Sequence, residues 1–169
     1  MAPTTPIPLE LTINPTLCSG CGKCCTWRPG RSVPSDWGDS DYAISQALYT
    51  ALASGNYTND PWEGDPREDG DLPNVPMIRP NGRAFVGELF HAPWFEEVPC
   101  VFLGDAGCTL EFTKRPYQCR ALMPGLDVKT GERHCETVGM TQHEIALSWV
   151  PYRDMVRQII NDVQTCRDE

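Results

Sequence analysis

No run of apolar residues in this chain approaches the ~18–20 that a membrane helix requires, which argues against a helical membrane span. Basic charge is scarce as well. The chain has 14 Lys and Arg against 23 Asp and Glu, a formal net charge of −9 and a pI near 4.7. A nucleic-acid binder needs a basic face, so that class is disfavoured. Attraction to an anionic membrane surface is disfavoured for the same reason. Met1 to Pro8 has neither a basic n-region nor an apolar h-region. With no secretory signal visible, the expected compartment is the reducing cytoplasm. Histidine occurs only three times, and no Ser-His-Asp set, phosphate loop or paired carboxylates stand out.

What remains is enough for one folded domain. The 169 residues are 40% hydrophobic, so a core can form. The 14 glycines and 16 prolines make a loop-rich chain, short of low complexity. Cysteine is the loud feature: nine residues, at 18, 21, 24, 25, 100, 108, 119, 135 and 166. In a cytosolic chain such density points to metal or redox chemistry rather than a disulfide framework.

Along the chain, Pro3, Pro6 and Pro8 give an extended arm, and Ile7, Leu9, Leu11 and Ile13 alternate as an edge strand would. From Asp39 to Ser54, the stripe Ala43, Ile44, Ala47, Leu48, Ala51 and Leu52 predicts a helix with Gly55 as its stop. Asn59 to Asp71 holds six acids against Arg67 and reads as a solvated loop. A calcium loop fails there, because from Asp65 its third and twelfth positions are Arg67 and Pro76.

Pro80-Asn81-Gly82 predicts a hairpin between Met77-Ile78 and Ala84-Phe85-Val86. Gly104-Asp105-Ala106-Gly107 predicts a second, which would bring Cys100 towards Cys108. Thr141 to Glu144 has capping-box form. Pro151 then interrupts, and a last helix buries Met155, Val156, Ile159, Ile160 and Val163.

The chemistry lies in Cys18-x2-Cys21-x2-Cys24-Cys25. A Cys-x2-Cys loop brings two thiolates to one metal while its backbone amides point at the sulfurs. The side chains of adjacent Cys24 and Cys25 diverge, so they more naturally serve two metal atoms. The fourth cysteine of a ferredoxin run is missing, since Arg28 and Pro29 stand in its place. The spacing also fails a radical-SAM loop, a thioredoxin-like dithiol and a simple zinc ribbon.

The motif Cys18-Ser-Gly-Cys21-Gly-Lys-Cys24-Cys25 resembles the CxxCxxCC signature of the YkgJ-type cysteine-cluster family, described as zinc- or iron-chelating proteins. Pro99-Cys100, Gly107-Cys108 and Lys114-Arg115-Pro116-Tyr-Gln-Cys119-Arg120 resemble its second block, and Cys135 its last cysteine. The likeness covers roughly residues 16–28 and 98–147. It implies a metal-chelating domain spanning residues 1–169, with 29–97 as a family-variable insertion. It also implies eight metal ligands: Cys18, Cys21, Cys24, Cys25, Cys100, Cys108, Cys119 and Cys135.

Cys166 falls outside the pattern as a spare thiol. Soft thiolates select an iron–sulfur cluster or zinc; the triplet spacing, the adjacent pair and the irregular later spacing favour iron–sulfur, with zinc the alternative. Arg115 and Arg120 are candidates to donate hydrogen bonds to the cofactor's sulfurs. His134 is a weaker ligand candidate, and His91 and His143 read as structural. Trp27, Phe102 and Phe112 read as an apolar wall.

The expected fold is α+β: a small, irregular, Cys-rich and metal-stapled domain with short hairpins and C-terminal helices. Two functional classes follow. In one, the metal organises a thin-cored fold that binds or assembles with another protein, not with nucleic acid or membrane. In the other, the protein is an iron–sulfur redox or group-transfer enzyme. A related branch, the flagellin lysine N-methylases, is of that kind, but no cofactor-binding motif here carries its activity over.

Overall fold

The computed structural model describes residues 22, 25–26, 30–61, 74–90, 98–126 and 133–168, with the backbone alone for 123–126 and 133–137. The expected edge strand at 7–13 lies outside them, as does the acidic stretch beyond Pro61.

The first long helix, α1, spans Asp41–Ala53. The Ser40 hydroxyl caps it by accepting from the Ala43 amide at 3.3 Å. Gly55 ends it at φ +77°, where a side chain would be strained and its Cβ would lie 2.8 Å from the Gly87 amide nitrogen. The last helix, α4, spans Arg153–Asp168. Ile44, Leu48 and Leu52 of α1 share one buried cluster with Val156, Ile159, Ile160 and Val163 of α4. The expected stripe on α1 is narrower than its sequence, because the three alanines are only half-buried flanks of the Ile-Leu-Leu row.

The third helix, α3, spans Gln142–Trp149. It adds Ile145, Ala146 and Trp149 to the same core. Here the capping box forms: Glu144 donates its amide to the Thr141 hydroxyl at 3.2 Å, and its carboxylate accepts from the Thr141 amide at 2.7 Å. Pro151 sits in a 3-10 turn, Val150–Tyr152, that redirects the chain between α3 and α4.

The strands are short and antiparallel. β1 (Tyr57–Asn59) pairs with β2 (Ile78–Pro80), β3 (Leu103–Gly104) with β4 (Gly107–Cys108), and β5 (Leu122–Leu126) with β6 (Arg133–Thr137). A four-residue helix, α2 (Tyr117–Arg120), precedes β5. The architecture is thus mixed α+β.

The hairpin expected at Asn81-Gly82 does not form. β2 pairs back to β1 instead, and Arg83–Phe85 is a 3-10 turn. The reason is Asn81, which is fully buried. It donates its amide nitrogen to Gly55 O (3.2 Å) and Glu88 O (2.9 Å), and its backbone N–H to Asn56 O (2.7 Å). Asn81 therefore ties loops together rather than turning a hairpin. Asp60 departs from the solvated reading of its neighbours. It accepts from Arg31 at 2.6 Å and lies 3.4 Å from Arg79, with both arginines largely buried. Among the described residues, no helix is long and apolar enough to cross a membrane.

Candidate metal centre

A short segment from residues 22–36 meets two others near residues 103–120. In the first, Gly22 turns the chain at φ +59°, and its carbonyl accepts from the amides of Cys25 and Thr26 at 3.0 and 3.2 Å. Cys25 is then held from the other side, its carbonyl accepting from the Cys100 amide at 2.6 Å. Both residues are buried, at 8% and 4% exposure. The last cysteine of the early quartet is therefore stitched to the first of the later block.

In the second segment, the hairpin β3–β4 turns through Gly104 and Gly107, so that Leu103 pairs with Cys108. Gly107 adopts φ +101°, which the tight turn requires. This places Cys108 within hydrogen-bonding reach of the Cys25 thiol.

The third segment is Arg115 to Arg120. Pro116 starts α2, and residues 30–36 form its cradle. The Arg31 amide donates to Gln118 Oε1 at 2.9 Å, and the Gln118 amide donates back to Arg31 O at 3.0 Å. Asp36 Oδ2 accepts from the Tyr117 amide at 2.7 Å and the Val33 amide at 3.0 Å, while Oδ1 pairs with the Arg120 guanidinium. The Gly30 amide donates to Cys119 Sγ at 3.3 Å.

These contacts set the electrostatics. The hydrogen bond from Cys25 draws the Cys108 thiol down to about 6. The Leu110 amide and the nearby Arg115 guanidinium act the same way, and burial opposes them. Cys108 is thus held in a thiolate-favouring site. Burial pushes the Tyr57 phenol well above its ordinary value, and Cys100, Cys119, Cys108 and Asp36 push it further. Tyr57 is therefore the common neighbour of three thiols. Its ring meets Trp37 edge-on at 5.1 Å and Phe102 at 5.5 Å.

Of the eight expected ligands, Cys100, Cys108 and Cys119 act on Tyr57, and Cys25 is bonded to Cys108 by its side chain and to Cys100 by its backbone. None of them is in a disulfide among the described residues. Cys18, Cys21 and Cys24 lie outside the described residues. Cys135 is placed by its backbone alone, opposite Pro124 on the β5–β6 ladder; Val138, just past that ladder, donates its amide to Ala121 O at 2.8 Å. Among the described residues, no group of three or more His, Cys, Asp or Glu side chains is placed to hold a metal ion.

The donors that do meet are all sulfur, the chemistry of soft metals rather than magnesium or calcium. The close cradle at Gly30, where a Cβ would lie 2.8 Å from Cys119 Sγ, matches a sulfur held tightly from behind.

The two candidate arginines divide. Arg115 reaches Cys108, donates Nε to Leu110 O at 3.1 Å and lies 5.7 Å above the Phe112 ring. Arg120 directs its guanidinium to Asp36 and to Arg115 O. His143 sits in the first turn of α3, while His91, Trp27 and the His134 side chain lie outside the described residues. Cys166 is exposed at the end of α4, and the Tyr49 hydroxyl donates to it at 3.7 Å.

Gly30, Asp36 and Tyr57 escaped the sequence reading. They lie in the stretch expected to be an insertion, and these partners are 20 to 89 residues away. No local signal marks them. No protein family, curated protein or solved structure matches this chain. The likeness read from the cysteine motifs stands on those residues alone.

Proposed function

We propose that this protein is a thiolate metal-chelating protein of the cysteine-cluster type, in which an iron–sulfur cluster or zinc organises the fold for binding to, or assembly with, another protein. One observation carries the reading: Cys100, Cys108 and Cys119 all act on Tyr57, and Cys25 is bonded to Cys108 and, through its backbone, to Cys100, with the Cys108 thiol drawn to about 6. Four apolar or disulfide-locked cysteines would need no such donors. When bound, the metal supplies cross-links between the segments, and in a small loop-rich fold that binding energy is folding energy. The protein's own part is to present sulfur with its charge offset by Arg115 and by backbone amides. A reducing compartment such as the cytoplasm would keep these thiols available.

A second reading is an iron–sulfur redox or group-transfer enzyme of the protein-methylase kind. The half-buried positions of Cys108 and Cys119 favour it, because a cluster near the surface is open to electron transfer.

The test is anaerobic purification with analysis of iron, zinc and acid-labile sulfide, and a visible spectrum before and after dithionite. Stoichiometric metal, with a melting temperature that falls when a chelator removes it, is the expected result. A visible band that dithionite bleaches shows a reducible iron–sulfur cluster, which the second reading requires, and a colourless, redox-silent zinc protein overturns the second reading and leaves the first. A metal-free protein whose thiols all titrate and whose melting ignores chelator overturns both.

A further inference from the structure

We propose that Gly30 is a positioning residue of this centre: its amide fixes the Cys119 sulfur as a ligand, and its missing side chain is what allows Cys119 to sit there. The inference rests on the reading that Cys119 binds metal. Two independent observations carry it. The Gly30 amide donates to Cys119 Sγ at 3.3 Å across 89 residues of sequence. A Cβ built on Gly30 would lie 2.7 Å from the Cys119 amide nitrogen, 2.8 Å from its Sγ and 3.0 Å from Gln118 Cβ. The nearest of these atoms is backbone, which cannot rotate out of the way.

Nor can the helix retreat. On one side of Cys119, Arg31 and Gln118 exchange hydrogen bonds at 2.9 and 3.0 Å, and Asp36 holds the Tyr117 amide at 2.7 Å. On the other side, Arg120 is paired to the same Asp36 carboxylate. Gly30 is buried, so its amide has no water to prefer. Glycine is required here for space, not for a left-handed backbone. An N–H···S bond to a metal-bound sulfur offsets its negative charge and orients its remaining lone pairs. Such outer contacts govern affinity by about 10–100-fold.

The experiment uses the full chain, loaded first with cobalt(II) and then with cadmium-113. The wild type is expected to show sulfur-to-cobalt charge-transfer absorption. Gly30→Ala is expected to bind cobalt about 10–100-fold more weakly and to absorb less per ion. The cycle with Cys119→Ala isolates the cause: in that background, Gly30→Ala should weaken binding no further. Equal weakening in both backgrounds, or wild-type affinity in Gly30→Ala, overturns the proposal.

The cadmium arm needs no substitution and is unaffected if Gly30→Ala folds poorly. In the wild type, the Gly30 amide proton should show scalar coupling to cadmium-113 through the N–H···S bond. Cadmium coupling to cysteine protons without coupling to Gly30 overturns the role of Gly30 and leaves the metal reading standing. Absence of both the cobalt band and every cysteine coupling overturns the metal reading, and this proposal with it.

Discussion

Asp36 shows how much one side chain can carry. Its carboxylate is 9% exposed and satisfies two backbone amides and a guanidinium, linking the chain after the early cysteines to the helix that presents Cys119. Removing a buried partner leaves its donors unpaired. Arg120 remains 29% exposed, so solvent softens the loss. Asp36→Ala should therefore cost on the order of 2–3 kcal/mol in urea unfolding. Asp36→Asn, which keeps an acceptor oxygen, should cost clearly less. Nothing in the sequence around Asp36 announces this, because a carboxylate's partners 81 and 84 residues on leave no periodicity or spacing to read.

Helices, by contrast, declare themselves locally. The cap at Ser40, the stop at Gly55, the box at Thr141-Glu144 and the break at Pro151 all stand where short-range chemistry puts them. Thr141→Ala should destabilise the protein by about 1 kcal/mol, read from denaturant midpoints. The Glu144 carboxyl lies below its ordinary value of 4.5, because the Thr141 amide and then its hydroxyl bond to it. A group depressed on folding stabilises above its unfolded pKa and loses that contribution as pH falls through its folded pKa. Glu144→Gln should thus flatten the decline of melting temperature below about pH 4.5 and leave neutral-pH curves nearly parallel. Strand pairing was less legible: β2 chose β1 over the nearer segment because Asn81 is consumed by three carbonyls that only the folded chain assembles.

At the scale of the whole molecule, two sources of order are distinguishable. One is the apolar seam of α1, α3 and α4, where Leu48 and Trp149 are fully buried, the latter donating its indole N–H to Ser32 O at 2.8 Å. The other is the thiol region, where the chain is short-stranded and held by loop contacts. Leu48→Ala should cost about 2–5 kcal/mol and lower the melting temperature; on the proposed metal reading, loaded and metal-stripped protein should fall alike. Its metal content, read by elemental analysis, should stay at the wild-type value. A parallel loss of metal would mean that the seam and the thiol region form one cooperative unit.

The amino-acid order alone determined the three longer helices, the capping box at Thr141-Glu144, the acidic balance, and the supply of nine cysteines, whose thiolates would suit soft metals. Each of these depends on neighbours within a few residues or on side-chain chemistry that needs no partner. Only the tertiary structure decided that Cys25 bonds to Cys108 and Cys100, that Gly30 and Asp36 seat Cys119, and that Tyr57 stands among the thiols. Such contacts depend on chain closure over tens of residues, where the packing of the whole molecule, not local preference, selects which groups meet.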